Sequence, residues 1–271
     1  SVRTMSDRQP VAIVGAGITG LACAHALRDV AEVTVVDRVP VPGGVHGWEA
    51  AETRELAPAC GAQLRLGETA IRWDGLTLLA IGQDGPQQMG AAALVIATGA
   101  RPLGRAELGI AGGRPAGIVA ATVACHLAEN GLLVGRRPLI VGGGDWAMRA
   151  VSELRAAGAE RATLVCPDGL LRERPNDGAV HVREHDRVVS VAGTPRVRTA
   201  TLASGETLGC DAVVLAHGVA ALRNVDGAVW AGDRAVYAQP LADPATVAQA
   251  RAAGAEAAAA VRSLIDREER P

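Results

Sequence analysis

At 271 residues the chain can bury a large core in one or two domains, and its formal net charge of -2, with the two signs mixed, offers no basic block to hold nucleic acid. Apolar stretches such as Ala91 to Ala97 are only strand-length, so no segment has the length to cross a bilayer. The opening SVRTMSDRQP lacks the apolar core of a secretory signal, and a cytoplasmic protein is the expectation. Five cysteines (Cys23, Cys60, Cys125, Cys166, Cys210) lie more than 35 residues apart, which leaves no C-x-x-C for redox exchange or metal binding. Each is expected to be a small buried hydrophobe.

Val11 to Asp37 organises the chain. The apolar run Val11 to Val14 predicts a buried parallel strand, and it leads straight into Gly15, Gly17 and Gly20 at the G-x-G-x-x-G spacing. Gly15 permits the turn, with Ala16 inside it. Gly17 lets the backbone approach a pyrophosphate, and Gly20 lets a helix over 18–28 pack on the strand. The free N–H groups at that helix start face the phosphates. A second strand, Glu32 to Val36, ends in Asp37, where a carboxylate can accept from ribose hydroxyls; an acid here favours an unphosphorylated adenosine ribose. Arg38 and the pair Gly43-Gly44 follow in a Pro/Gly-rich loop, where the glycines can bring backbone amides against a second phosphate.

A helix is expected over 49–58, then short strands over 62–66, 70–73 and 76–81 as a small antiparallel meander covering the crevice. Ala91 to Ala97 predicts another buried strand, ending in Thr98-Gly99-Ala100-Arg101-Pro102. A helix over 120–129 leads to a second unit: strand Pro138 to Val141, the G-x-G-x-x-A variant with Gly142, Gly144 and Ala147, and a helix from Asp145 closed by Gly158. The next strand, over 161–166, ends in Cys166-Pro167 with Asp168 two places late, so this turn can hold an adenine nucleotide or be empty. His181 and His185 fall among valines that favour strand, and they are read as surface histidines. Strands over 187–192, 196–202 and 211–216 are expected as a three-stranded meander, and the last ends in His217-Gly218. Val225 to Trp230 leads to Gly232-Asp233, and a helix over 244–265 closes the chain, with Asp243 as cap and Pro244 in its first turn.

GAGITG at 15–20, Asp37, Gly43-Gly44, ATGARP at 97–102 and AGD at 231–233 together resemble flavoproteins with two dinucleotide-binding domains, the superfamily of thioredoxin reductase and the pyridine nucleotide-disulfide oxidoreductases. The resemblance implies an α/β fold of two Rossmann-like nucleotide-binding domains, the second inserted in the first, with small antiparallel β meanders. The expected division is an FAD-binding domain of residues 1–103 and 221–271 around a second, NAD(P)-type nucleotide-binding domain of 104–220. It implies FAD held by Gly15, Ala16, Gly17, Gly20, Asp37, Arg38, Gly43 and Gly44. Thr98 and Gly99 would cross beneath it, Gly232 and Asp233 would take its ribityl-phosphate side, and Val247 would meet the flavin pyrimidine. Gly142, Gly144 and Asp145 would hold a second adenine nucleotide, NAD(P) or ATP, where one is bound.

Relatives that reduce disulfides carry a C-x-x-C, which this chain lacks, and no catalytic residue is assigned. Only 16 residues separate Gly44 from Gly61, fewer than a stand-alone member has. ATVACHLAENGLLVGRRPLIVGGG at 121–144 and CDAVVLAHG at 210–218 look like the FAD-type subunit of heteromeric opine, proline and hydroxyproline dehydrogenases and hydrogen cyanide synthase. That likeness implies an FAD-dependent oxidoreductase serving as an electron-relay subunit, with a second flavoprotein subunit and a small iron-sulfur subunit as expected partners. A stand-alone NAD(P)H-dependent flavin reductase and a non-catalytic nucleotide-binding scaffold are the alternatives.

Overall fold

In the computed structural model the described residues are 8–167, 169, 171, 173–223, 227–238 and 246–268. They divide into two compact units, residues 1–100 with 221–271 and residues 101–220.

Unit 1 begins with β1 (Gln9–Val14), α1 (Ile18–Leu27), β2 (Ala31–Asp37), α2 (Ala51–Ala59), β3 (Gln63–Leu66), β4 (Thr69–Trp73), β5 (Thr77–Gly82), β6 (Gly85–Gly90) and β7 (Ala93–Ile96). The chain leaves it through β8 (Ala100–Pro102). Unit 2 follows with β9 (Ala111–Gly112), β10 (Ile118–Ala120), α3 (Ala121–Glu129), β11 (Pro138–Val141), α4 (Asp145–Ala156), β12 (Ala162–Cys166), β13 (Val180–Glu184), β14 (Val188–Ala192), β15 (Thr199–Leu202), β16 (Thr207–Gly209) and β17 (Ala212–Leu215). The chain returns through β18 (Val219–Ala221), which pairs with β8, and ends in β19 (Val229–Trp230), β20 (Ala235–Tyr237) and α5 (Val247–Glu268).

The main sheet of unit 1 runs β20-β7-β1-β2-β3 with every neighbouring pair parallel. Both its faces are covered, which is why β1 over 11–14 and all of β7 are continuous buried apolar runs. Successive residues divide between the faces: Val11 and Ile13 pack with α1, α2 and α5, while Ala12 and Val14 pack with Trp73, Leu78 and Ala80 of the meander. Gly254 of α5 lets that helix lie on α1, since a Cβ there would stand 2.5 Å from the Thr19 carbonyl oxygen. Unit 2 repeats the plan. Its parallel sheet runs β10-β17-β11-β12-β13, with α3 and α4 on one face and the β9, β14, β15 and β16 sheet on the other.

Three expectations change here. The segment over 62–66 is β3, a fifth parallel strand on β2, and the meander is β4, β5 and β6 with β19 added. That meander covers a face of the sheet. The strand over 211–216 is β17, seated between β10 and β11, and β16 takes the third place in the second meander. Local pattern cannot tell these pairings apart: β3, at the sheet edge, alternates like a meander strand, and β17 is an apolar run that fits either sheet. The closing helix starts at Val247 with Thr246 as its cap: Gln249 N–H donates to Thr246 Oγ1 at 3.2 Å and Thr246 N–H to Gln249 Oε1 at 2.9 Å. Asp243 and Pro244 lie outside the described residues, as does Asp168.

Candidate nucleotide-binding site

The first glycine turn sits at the C-terminal edge of the unit 1 sheet, where β1 ends beside β2 and β7. Gly15 has φ +113°, and its N–H donates to the Val36 carbonyl at 2.8 Å. A Cβ on Gly15 would stand 2.3 Å from the Ala97 carbonyl oxygen, and one on Gly20 would stand 1.9 Å from the Gly15 carbonyl oxygen. These two glycines are demanded by the fold itself.

Gly17 is different. It caps α1 with φ -74°, open to any residue, and a Cβ there would touch only Gly44 Cα at 3.8 Å. No clash within the chain accounts for a glycine at this position; an open surface beside a bare backbone does, of the kind a pyrophosphate needs. The helix that begins here has no side-chain cap bond and no acid in its own first turn, so its first N–H groups have no side-chain partner from the helix itself.

Asp37 closes the site from the neighbouring strand. Its Oδ2 accepts from Ala16 N–H at 2.6 Å and its Oδ1 from Val39 N–H at 2.8 Å. The carboxylate is thus fixed against the turn and keeps lone pairs for further donors. The loop beyond it folds back: Gly43 N–H donates to Ala16 O at 2.8 Å, and Gly43 bridges Gly17. Gly43 and Gly44 both have positive φ, at +119° and +57°. Arg38 is exposed on the same loop. Val39, Val41, Val45 and Trp48 there are 43–55% exposed.

Thr98 N lies where a Cβ on Gly15 would meet it at 3.3 Å, so the crossing segment does border the turn. The Thr98 hydroxyl donates to Leu222 O, and Gly99 O accepts from Leu222 N–H at 2.9 Å, which ties the returning chain down. Val247 is half-buried against the helical core of the unit.

Gly232 and Asp233 do not join this group. They precede β20, which runs parallel to β7 with Tyr237 opposite Ile96, so Ala238 is the residue level with Ala97. At about 3.3 Å per residue, Asp233 stands roughly 16 Å down the strand, towards the other end of the sheet. There Gly232 lies beside Gly75, whose Cα a Cβ on Gly232 would meet at 3.2 Å. The AGD motif precedes the sheet strand, whereas a ligand at the carboxyl edge would be met by residues after it.

Unit 2 rebuilds the first turn only. Gly142 has φ +137°, its N–H donates to Val165 O at 2.8 Å, and a Cβ on it would stand 2.5 Å from Ala216 O. Gly144 caps α4 with φ -81°. The residue after Val165 is Cys166, fully buried, in the place that Asp37 fills after Val36. The first turn of α4 carries Asp145, an anion where phosphate would approach. His181 is exposed on β13 and His185 turns the chain with φ +58°; no group of three metal-binding side chains occurs among the described residues. No described helix is long and apolar enough to cross a membrane.

Fold and turn together define an α/β protein of two Rossmann-like units. Residues 13–63 match the NAD(P)-binding Rossmann-like domain family. No curated protein matches the sequence. The solved structures that share the fold include a pyridine nucleotide-disulfide family oxidoreductase from Enterococcus faecalis V583, at 17% identity and TM-score 0.71, covering 94% of this chain and 69% of that one. Thioredoxin reductase from Lactococcus lactis matches at 18% identity and TM-score 0.67, over 96% of this chain and all of its own. L-proline dehydrogenase from P. horikoshii matches at 14% identity and TM-score 0.63; this chain spans 56% of its length. The fold is that of the pyridine nucleotide-disulfide oxidoreductases and thioredoxin reductases.

Proposed function

We propose that the chain is an FAD-dependent oxidoreductase that relays electrons as one subunit of a heteromeric amino-acid or amine dehydrogenase. The observation that carries the FAD assignment is Gly17, a glycine that no neighbour in the chain requires, beside an uncapped helix start and the oriented Asp37 carboxylate. Gly17 and the α1 N–H groups would take the pyrophosphate, Asp37 the adenosine ribose, and Gly43-Gly44 the far side of the phosphates. The isoalloxazine ring supplies the electron-accepting and electron-donating chemistry when FAD is bound.

The subunit reading is supported by what surrounds that cradle. The five cysteines are all buried, with no two spaced as C-x-x-C, and desolvation pushes the Cys23 thiol up to about 12 and those of Cys125 and Cys210 up to about 11, which disfavours a thiolate at those three. The exposed apolar loop from Val39 to Trp48 stands beside the Gly turn, where a partner would supply cover. The second turn, with Asp145 and Cys166, is poorly suited to accept NAD(P)H, which counts against the stand-alone reductase. An amine-oxidising partner is consistent with the fold shared with L-proline dehydrogenase.

Mass spectrometry of small molecules and chains released from the native protein tests this. FAD together with a co-purifying amine-oxidising flavoprotein is the expected result. Bleaching of the bound flavin by NADH or NADPH alone would replace this reading with the reductase, and adenine nucleotide without flavin would replace it with the scaffold.

A further inference from the structure

Unit 2 also holds an open cavity of about 550 Å³ at the ends of β10 and β17, whose lining includes no residue of the glycine turn but has Arg101, Arg105 and Arg114 among apolar residues that include Leu103, Ile118 and Leu215. The volume lies in the range of small-molecule sites, roughly 300–1,000 Å³. Its charge is unbalanced. Glu107 neutralises Arg101 through two contacts, at 2.7 and 3.1 Å. Arg105 is held by carbonyls alone: Nε donates to Ile110 O at 2.9 Å, and its terminal nitrogens donate to Gly112 O and Gly113 O. Carbonyl oxygens orient a guanidinium without cancelling its charge. Arg114 is exposed and has no hydrogen bond or ion pair among the described residues.

A separate feature points the same way. Val119 and Ala120 line the cavity and run directly into α3, whose first turn has neither a side-chain cap nor an acid. A nine-residue helix thus begins at the cavity wall with its first N–H groups and positive dipole end uncancelled. We propose that this cavity binds an amphiphilic organic anion, a carboxylate or phosphate head carried on an apolar body, with the head at Arg105, Arg114 and the α3 start and the body against Leu103, Ile118 and Leu215. Neither glycine turn takes part.

The test is fluorescence titration of the purified chain with the aromatic sulfonate dye ANS, which has an apolar body and an anionic head. Arg114→Glu is compared with Arg137→Glu, an exposed arginine outside the cavity whose replacement changes net charge equally. About a tenfold weaker dye affinity for Arg114→Glu, with Arg137→Glu unchanged, is expected from reversing one charge at the head position. Hexanoate and hexyl phosphate then compete with the dye on the wild-type chain: displacement by one or both supports the proposal and identifies the head. Equal titrations for the two variants, or displacement by hexanol as effective as by the anions, overturns it.

Discussion

Gly15 and Gly142 occupy the same place in their units. Each donates its N–H at 2.8 Å to the last apolar residue of the next strand, and each would drive a Cβ into the carbonyl of the strand on its other side. One step further on, the two turns part. Unit 1 has Asp37 fixed against the turn and no acid in the first turn of α1, whereas unit 2 has a buried Cys166 and Asp145 at the head of α4. The glycines that shape a Rossmann turn are therefore separable from the polar groups beside it, and only the first unit has an acid fixed against its turn from the neighbouring strand.

The largest expected effect breaks the shared part. Gly15→Val and Gly142→Val each force a branched side chain into backbone, costing on the order of 3 kcal/mol or more. Hydrogen exchange should show β1 losing protection in one variant and β11 in the other; protection retained in either would mean that its turn is not under steric constraint. Gly17→Ala sharpens the comparison, because it should fold normally yet lose bound FAD, by roughly tenfold or more in affinity. Asp37→Ala should weaken FAD by about 1.5–3 kcal/mol, the range for a hydrogen bond to a charged group. Flavin retained on gel filtration measures both.

Asp145→Asn, made in the Gly17→Ala background so that the first site is silent, should raise AMP affinity about two- to five-fold in calorimetry, by removing an anion from a helix start. No gain would show that the α4 acid is not what weakens that turn.

Acid should separate the units modestly. Glu107 is held down to about 2 by Arg101 and the Gly104 N–H, and Asp177, Asp186 and Glu206 are lowered by Arg155, Ser204 and Arg183 respectively. In unit 1 only Asp74 is clearly lowered among the described residues, by the Leu76 and Thr77 N–H groups. A carboxyl lowered on folding contributes stability that is complete above its unfolded value and is lost as pH falls through the folded one. Between pH 5 and 2, amide protection should thus fall in unit 2 before unit 1. The smallest effect is Thr246→Ala, which removes the capping box of α5 at about 1 kcal/mol and lowers the melting temperature by roughly 2–4 °C.

The glycine turns, α1, α3, α4 and the buried strands were legible in the sequence because spacing and apolar runs are local. Pairing was not. Gln63–Leu66 and Ala212–Leu215 carry no mark that says which strand they lie beside, and a parallel neighbour is chosen by the crossover, not by the turn next to it. Asp233 misled for the same reason: Ala-Gly-Asp follows one short strand, β19, and precedes another, β20, and only the sheet order tells which of them abuts β7. Thr246 was obscured by Asp243 and Pro244, a stronger starting signal three residues earlier. The unpaired arginines around the unit 2 cavity had no sequence signal at all, since Glu107 and the carbonyls of 110–113 sort them by geometry.

Gly254 brings α5 onto α1, and β20 completes the edge of the sheet that β1 begins. During synthesis on the ribosome, all of 101–220 therefore emerges before the first unit has its last strand and helix. The inserted unit can fold while its host is still incomplete, and the host must keep an apolar sheet face uncovered until the closing helix is released. Nascent chains halted near residue 260, with roughly the last 30 residues still inside the ribosome, should accordingly be chaperone-bound through the first unit and protease-resistant through the second.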